Sequence, residues 1–318
     1  MFRGIAELIH MDSPNRADFL EGWKPGGKYD GIVAIFRRNF SAAKIGIFNE
    51  ELINGLSPSV KWIAQMAAGY DPVDVAACKK RGILVSRVPG AVNDATATTA
   101  LFLIISTLRQ FSKAERDLRD GLWKSRLSPS NAHDVTGRTL AILGLGGIGL
   151  RLAELAHTFS MRIVYHNRRK VMDVPDWCEF FEKDRLQEML GMADVLSVHI
   201  PLSKDTERYV DEKMIRALKK GAIIVNTARG GVIDEDAMIR ALEDGHLAGA
   251  GLDVFPREPN INPRLLDLPS VTLLPHMGAG TGDTKKKMEI VALKDILDFL
   301  TKGRGKNVVP EMRDWVPV

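Results

Sequence analysis

The run Thr139 to Gly149, TLAILGLGGIG, constrains the fold more than any other stretch of the chain. Leu140 to Leu143 reads as a short apolar strand. It runs into Gly144, Leu145, Gly146, Gly147, Ile148 and Gly149, after which Leu152, Leu155, Ala156 and Phe159 recur at helical spacing. This strand, turn and helix order is the context that gives a G-x-G-x-x-G its meaning. Gly144 would permit the tight turn, Gly146 would let the backbone approach a pyrophosphate, and Gly149 would let the helix settle on the sheet. The unpaired N–H groups of the helix start, at its positive dipole end, form an anion site. Glycines at such a turn also serve packing alone, but the second apolar strand, Met161 to Tyr165, completes the unit and favours dinucleotide binding.

That second strand ends in His166-Asn167-Arg168-Arg169-Lys170. Asn167 stands about 20 residues after the fingerprint, where an acid would accept hydrogen bonds from the ribose 2′-hydroxyl of NAD. Asparagine has no charge to repel a 2′-phosphate, and Arg168 and Arg169 offer charge-assisted bonds to one. NADP is therefore the preferred cofactor expected here. NAD stays open, since asparagine can also bond a hydroxyl, and a basic turn that merely faces solvent is the plainer alternative.

The chain has 318 residues, enough for two domains with separate cores, and its 45% hydrophobic and 26% charged content is that of a globular protein. No apolar run approaches the ~20 residues of a membrane span and no signal-peptide pattern opens the chain, so a cytoplasmic protein without membrane partners is expected. A net charge of +4 without a long basic block excludes an obvious nucleic-acid surface. Cys78 and Cys178 share no metal-ligand spacing, and no metal site is expected.

Strands and helices alternate along most of the sequence, which predicts parallel sheets covered by helices. Candidate strands before residue 90 are Ile5 to His10, Gly31 to Phe36, Lys61 to Met66 and Ile83 to Ser86, with Ser13-Pro14 as a helix-start signal. Asn93 to Arg119 lacks Gly and Pro and reads as one long helix, followed by a polar loop over 125–138. Later strands fall at Val195 to Ile200, Ala222 to Asn226, Ala248 to Val254 and Val271 to Leu274, and a last helix at about Thr284 to Leu300.

In an open parallel sheet, ligands bind beyond the carboxyl ends of the strands. Arg229, Asp253 with Glu258, and His276 each follow such an end. A cation, a carboxylate and an imidazole beside a dinucleotide are the equipment for reducing a 2-oxo acid. Histidine titrates near neutral pH and can protonate the carbonyl oxygen that receives hydride at its carbon. A carboxylate beside it would raise its pKa, and arginine's planar fork would hold the substrate carboxylate and polarise the carbonyl. Phe36, Arg37 and Arg38 are candidates for lining the end that receives the substrate R group, although paired arginines on an edge loop also serve as a solvated face.

Several runs together resemble the D-2-hydroxyacid dehydrogenase family: Val225 to Ala237, Gly251 to Pro259, Leu274 to Gly278, Ala68 to Val75 and Arg81 to Ala91. The similarity covers nearly the whole chain and is greatest to the fungal glyoxylate reductase and D-mandelate dehydrogenase branch. It implies a flavodoxin-like substrate domain from 1–92 and 287–318 and a Rossmann-type cofactor domain from 93–286, with the active site in the cleft, and a homodimer. It implies that Arg229 binds the substrate carboxylate and carbonyl, that His276 is the acid/base, and that Glu258 orients and charges His276. The backbone of Ala68 and Gly69 would grip the carboxylate. Gly146, Gly147 and Ile148 would hold the pyrophosphate, Pro201 and Thr206 the adenosine side, and Thr227, Ala228 and Asp253 the nicotinamide end, with Thr96 and Gly278 as further cofactor contacts.

The reaction so implied is reversible reduction of a 2-oxo acid to the D-2-hydroxy acid, glyoxylate, hydroxypyruvate and bulkier substrates all being open. Corepressors that keep this fold give the alternative of a non-catalytic dinucleotide-sensing protein. Glutamine at position 258 would have indicated a formate dehydrogenase. Two features depart from the family: its usual opening strand and helix have no counterpart before Ile5, leaving a sheet edge expected to be poorly covered, and Thr98 stands where members often have an acid.

Overall fold

The computed structural model describes residues 1–123 and 131–316. Residues 125–130 of the expected polar loop lie outside the described residues. The chain divides into two compact units, Met1–Val92 with Gly282–Val318, and Asn93–Thr281.

The first unit carries α1 (Arg16–Glu21), β1 (Ala34–Arg37), α2 (Ala42–Ile45), α3 (Glu50–Gly55), β2 (Trp62–Gln65), α4 (Val75–Lys80) and β3 (Leu84–Ser86). Its sheet is parallel in the order β1-β2-β3. The strand expected at Ile5 to His10 is absent. Ile5, Leu8 and Ile9 lack the period-two spacing of a strand and are all solvent-exposed, and no neighbouring strand pairs with them. The helix-start signal is also displaced. Asn15, not Ser13, caps α1 by accepting from Asp18 N, while the Ser13 hydroxyl pairs with that of Tyr29 at 2.8 Å.

The second unit begins with α5 (Asn93–Leu108) and α6 (Phe111–Arg119), where the sequence predicts one helix. The break comes at Gln110, which takes the left-handed conformation at φ 56° and ψ 32° and donates from Nε2 to Asn131 O. A non-glycine residue in that region gives no compositional signal. There follow β4 (Thr139–Leu143), α7 (Gly147–Thr158), β5 (Arg162–His166), β6 (Cys178–Phe181), α8 (Leu186–Met192), β7 (Val195–Val198), α9 (Glu212–Ala217), β8 (Ala222–Asn226), α10 (Glu235–Glu243), β9 (Leu247–Leu252), α11 (Pro263–Asp267) and β10 (Val271–Leu273). Their sheet is parallel throughout, in the order β6-β5-β4-β7-β8-β9-β10. Strand order reverses between β4 and β7, which is the Rossmann arrangement with its switch point at the glycine turn. The chain returns to the first unit in α12 (Gly282–Lys302), where Phe299 stacks on Trp62 at 5.2 Å.

Alternation along the buried strands of the larger sheet sends side chains into two cores. Leu140 and Ile142 join Leu103, Ile104 and Leu152 on one face, while Ala141 and Leu143 join Met189, Ile215 and Ile239 on the other. On the first face α5 lies against bare backbone. A Cβ at Gly251 would stand 2.8 Å from Leu103 Cβ, and one at Gly249 would stand 2.7 Å from Thr107 Cγ2. Overpacking of this kind costs about 1–3 kcal/mol. Gly251→Ala is therefore expected to lower the thermal unfolding midpoint by several degrees, on the scale of about 2–4 °C per kcal/mol for a unit of this size. An unchanged midpoint in a calorimetric scan would contradict this packing.

Candidate active site

Parallel strands bring the loops after β4, β5, β7, β8, β9 and β10 to one edge of the larger sheet. The glycine turn opens it. Gly144 has φ 101°, and a Cβ there would lie 2.8 Å from Ile200 Cγ2. A Cβ at Gly149 would lie 2.6 Å from Gly144 O, so that position brings the helix onto the turn. Gly146, by contrast, has open space where its side chain would be. The first hydrogen bond of α7 runs from Leu150 N to Gly146 O, so the amides of Gly147, Ile148 and Gly149 are the helix's orphan donors. Open backbone at Gly146 and free amides beyond it fit a pyrophosphate.

Asn167 is tied to the glycine turn. Its Oδ1 accepts from Leu145 N at 2.6 Å and its Nδ2 donates to Leu145 O at 3.4 Å, so the carboxamide braces the glycine turn. Arg168, Arg169 and Lys170 are exposed at this strand end. In the loop after β7, the Thr206 hydroxyl donates to Pro201 O and accepts from Ser203 N, closing residues 201–206 on themselves.

The loop after β8 is fixed by a residue that sequence reasoning passed over. Asn226, 1% exposed, accepts from Ala228 N and donates to Arg229 O, and so shapes the turn that presents Arg229. The signal was the polar end of an otherwise apolar strand. Gly230 lets this turn approach the loop after β9: a Cβ there would fall 2.0 Å from Phe255 C. Thr227 is buried, and its hydroxyl has no partner among the described residues, a donor suited to a bound amide or phosphate group.

Asp253 and His276 are tied through the main chain. Asp253 accepts from Met277 N at 2.6 Å and Gly278 N at 2.7 Å through its two carboxylate oxygens, and its carbonyl accepts from His276 N. Burial pushes this carboxyl above its usual range, and the two amide bonds oppose that only in part. Asp253 thus clamps the turn in which His276 takes φ 54°. Thr96 lies under the same turn, since a Cβ at Gly278 would come within 3.4 Å of both Thr96 and Asp253.

The imidazole this turn presents meets Glu258. His276 Nδ1 lies 2.7 Å from Glu258 Oε2, while Glu258 Oε1 accepts from Phe255 N at 2.9 Å. The Glu258 hydrogen bond raises the His276 pKa above its ordinary value; burial pulls the other way and the Glu258 charge adds to the rise. Burial by itself would raise Glu258, but the His276 bond, the Phe255 N–H and the charges of His276 and Arg229 leave it below the usual carboxylate value. The edge therefore gathers a histidine–glutamate pair, a guanidinium and a helix start with unpaired amides. Among the described residues no group of three or more His, Cys, Asp or Glu is placed to hold a metal ion.

His199 shares this edge, after β7, and sequence reasoning did not single it out. Its Nε2 pairs with Ser197 Oγ at 2.8 Å, and burial pushes its pKa down to about 4. In the first unit, Arg37 is buried rather than solvated. Its Nη1 donates to Gln65 Oε1 at 2.5 Å, burial lowers it to about 10, and its guanidinium lies over the Phe48 ring, whereas Arg38 is exposed.

A seven-stranded Rossmann sheet with a glycine turn at its switch point is the fold of dinucleotide-binding domains. The family profile for the D-isomer specific 2-hydroxyacid dehydrogenase NAD binding domain matches residues 101–278. The 4-methyl-2-oxopentanoate reductase A of Aspergillus oryzae is 39% identical over 98% of this chain and 93% of its own. A glyoxylate reductase from Paecilomyes thermophila superposes with TM-score 0.93 at 41% identity, covering 98% of this chain and 94% of that one. The D-mandelate dehydrogenase of Rhodotorula graminis, in its holo form, gives 0.87 at 30% identity over 100% and 94%. The chain belongs to the D-isomer specific 2-hydroxyacid dehydrogenase family and is an oxidoreductase.

The close approach at Gly230 generates a test. Gly230→Ala forces the Arg229 turn away from the loop that carries Glu258, and a displacement of about 1 Å at a reacting centre costs on the order of 10²-fold in rate. The variant is expected to lose kcat on that scale. Wild-type kcat would show that the two loops do not depend on this contact.

Proposed function

We propose that this protein reduces a 2-oxo acid to the corresponding D-2-hydroxy acid, with NADPH preferred over NADH. The observation that carries the reading is the His276–Glu258 pair at 2.7 Å on the sheet edge that also holds Arg229 and the glycine turn. When bound, the reduced nicotinamide supplies the hydride. Arg229 holds the substrate carboxylate and polarises the carbonyl. In the first unit, the backbone amides of Ala68 and Gly69 are assigned to the carboxylate of a 2-oxo acid. His276 has Nδ1 engaged by Glu258, so Nε2 is the atom that gives its proton to the carbonyl oxygen. Thr227, Ala228 and Gly278 are assigned to the nicotinamide side, with Asp253 and Thr96 supporting their turn.

For the cofactor's other end, Gly146, Gly147 and Ile148 take the pyrophosphate, while Pro201 and Thr206 flank the adenosine. Arg168 and Arg169 take the 2′-phosphate, and Asn167 holds the turn between. The substrate is drawn from glyoxylate, hydroxypyruvate and branched or aryl 2-oxo acids, and a panel of these assayed for NADPH oxidation orders them. A homodimer belongs to the same proposal, with exposed Phe102 and Phe111 on α5 and α6 as apolar surface for a second copy, and sedimentation reads it. No helix among the described residues is long and apolar enough to cross a membrane.

Two expectations test the chemistry. His276→Ala removes a general acid and should lower the reduction rate by about 10² to 10⁴. In reduction the protonated imidazole is the active form, so activity holds below its raised pKa and falls above it. Glu258→Gln removes the charge that raises this pKa, and the falling limb of the kcat/KM profile should move to lower pH. Near-normal turnover in His276→Ala, or an unmoved limb in Glu258→Gln, would reverse the roles assigned.

Cofactor choice is tested separately. Losing two charge-assisted bonds to a 2′-phosphate should cost NADPH far more than NADH. Replacing Arg168 and Arg169 together by alanine is expected to lower the NADPH/NADH ratio of kcat/KM by at least tenfold. A wild-type preference for NADH, or an unchanged ratio in the double variant, would refute the assignment.

A further inference from the structure

The segment after β2 pairs with the segment after β3 in the first unit. Val88 N donates to Ala67 O at 2.8 Å, and Arg87 Nη1 donates to Ala68 O at 3.3 Å. In a trans peptide the carbonyl and the following N–H point in opposite directions. Both amides in question, Ala68 N–H and Gly69 N–H, are therefore turned away from Arg87 and Val88. Neither donates a hydrogen bond among the described residues.

Arg87 is itself held on several sides. Its N donates to Asn307 O, and Asn307 is anchored in turn by the buried carboxylate of Asp295. Its guanidinium lies 5.9 Å from the centre of the Tyr70 ring, and the Tyr70 hydroxyl donates to the Glu311 carboxylate at 2.9 Å. A fixed cation on a carbonyl oxygen draws electron density through the amide and makes the opposite N–H a stronger donor, as in any polarised hydrogen-bond chain.

We propose that Arg87 is a positioning residue for substrate: it fixes the Ala68–Gly69 peptide and polarises the Gly69 N–H for a carboxylate. This rests on the reading above that Ala68 and Gly69 bind the 2-oxo acid. Arg87 makes no contact with substrate and moves no proton, so its contribution belongs to binding. The neighbours Tyr70 and Glu311 keep the guanidinium over the carbonyl; the cation performs the polarisation.

The test compares wild type, Arg87→Met, which keeps an apolar stem without a donor, and Arg87→Lys, which keeps a charge. Measured are KM for glyoxylate, the dissociation constant of oxalate with NADPH present, KM for NADPH, and the unfolding midpoint. The Arg87–Ala68 bond is present with and without substrate, so affinity feels only the strengthening of the opposite N–H, about 10–30% of a bond, and the loss of a fixed peptide. Arg87→Met is expected to raise KM for glyoxylate and the oxalate constant together by about threefold. KM for NADPH should stay within twofold, kcat should fall less than KM rises, and Arg87→Lys should recover part of the loss. Unchanged oxalate binding in Arg87→Met overturns the proposal. So does a loss that falls equally on NADPH and oxalate, or one that Arg87→Lys shares in full. Wild-type enzyme that neither reduces 2-oxo acids nor binds oxalate overturns the functional reading as well, which separates the two failures.

Discussion

The carboxylate of Asp253 is the contact on which the geometry of the larger sheet's edge depends. It is nearly inaccessible to solvent, at 1% exposure, and its two oxygens accept from consecutive amides of the loop after β10. A buried charge is costly unless its lone pairs are filled, so the turn at 276–278 is held by the need to satisfy Asp253 as much as by its own preference. With the turn so held, His276 occupies a left-handed conformation and its ring reaches Glu258. Gly230 provides the matching constraint from the other side, since its missing side chain lets the Arg229 turn rest on the Phe255 backbone.

Much of this was legible because the relevant signals are local. The fingerprint glycines, the apolar strand before them and the period of α7 lie within about 20 residues of one another, and the structure places β4 and α7 where that spacing predicts them. The loops after β8, β9 and β10 were legible for a different reason: parallel strands put successive C-terminal ends on one edge, so Arg229, Glu258 and His276 converge through topology alone. What escaped was whatever depended on a partner distant in sequence. β6 is four residues with two half-buried positions, and it is a strand only because β5 lies beside it. Ile5 to His10 is the converse, an apolar segment with no strand beside it. The α5–α6 break depends on Gln110 reaching Asn131, 21 positions away.

Side-chain destinations escaped for the same reason. Asn167 was placed correctly in the strand, turn and helix order, but a sequence cannot show that its carboxamide bonds Leu145, 22 positions earlier. The consequence is physical: an amide that both accepts from and donates to one backbone residue makes the glycine turn and the end of β5 a single unit. Asparagine offers that pairing because it carries both a donor and an acceptor, whereas a carboxylate at the same place could accept but not donate. Neutrality at position 167 therefore serves the turn itself.

The two histidines on this edge show how far environment outweighs residue type. His199 and His276 both follow parallel strands, and nothing in the residue itself separates a titrating imidazole from an inert one. His199 has a hydroxyl partner and, among the described residues, no carboxylate that offsets its burial, which drives it to the neutral form, with a pKa of about 4. His276 has a carboxylate on Nδ1, itself held by Phe255 N–H, and the charged form is favoured. A neutral ring and a charged one can then coexist on one edge at the same pH, the first fixed in place by its hydrogen bond and the second able to exchange a proton. The difference follows from Glu258, whose orientation toward His276 depends on the loop that Gly230 allows to approach. The environment that separates the two imidazoles thus traces back in part to a glycine that touches neither.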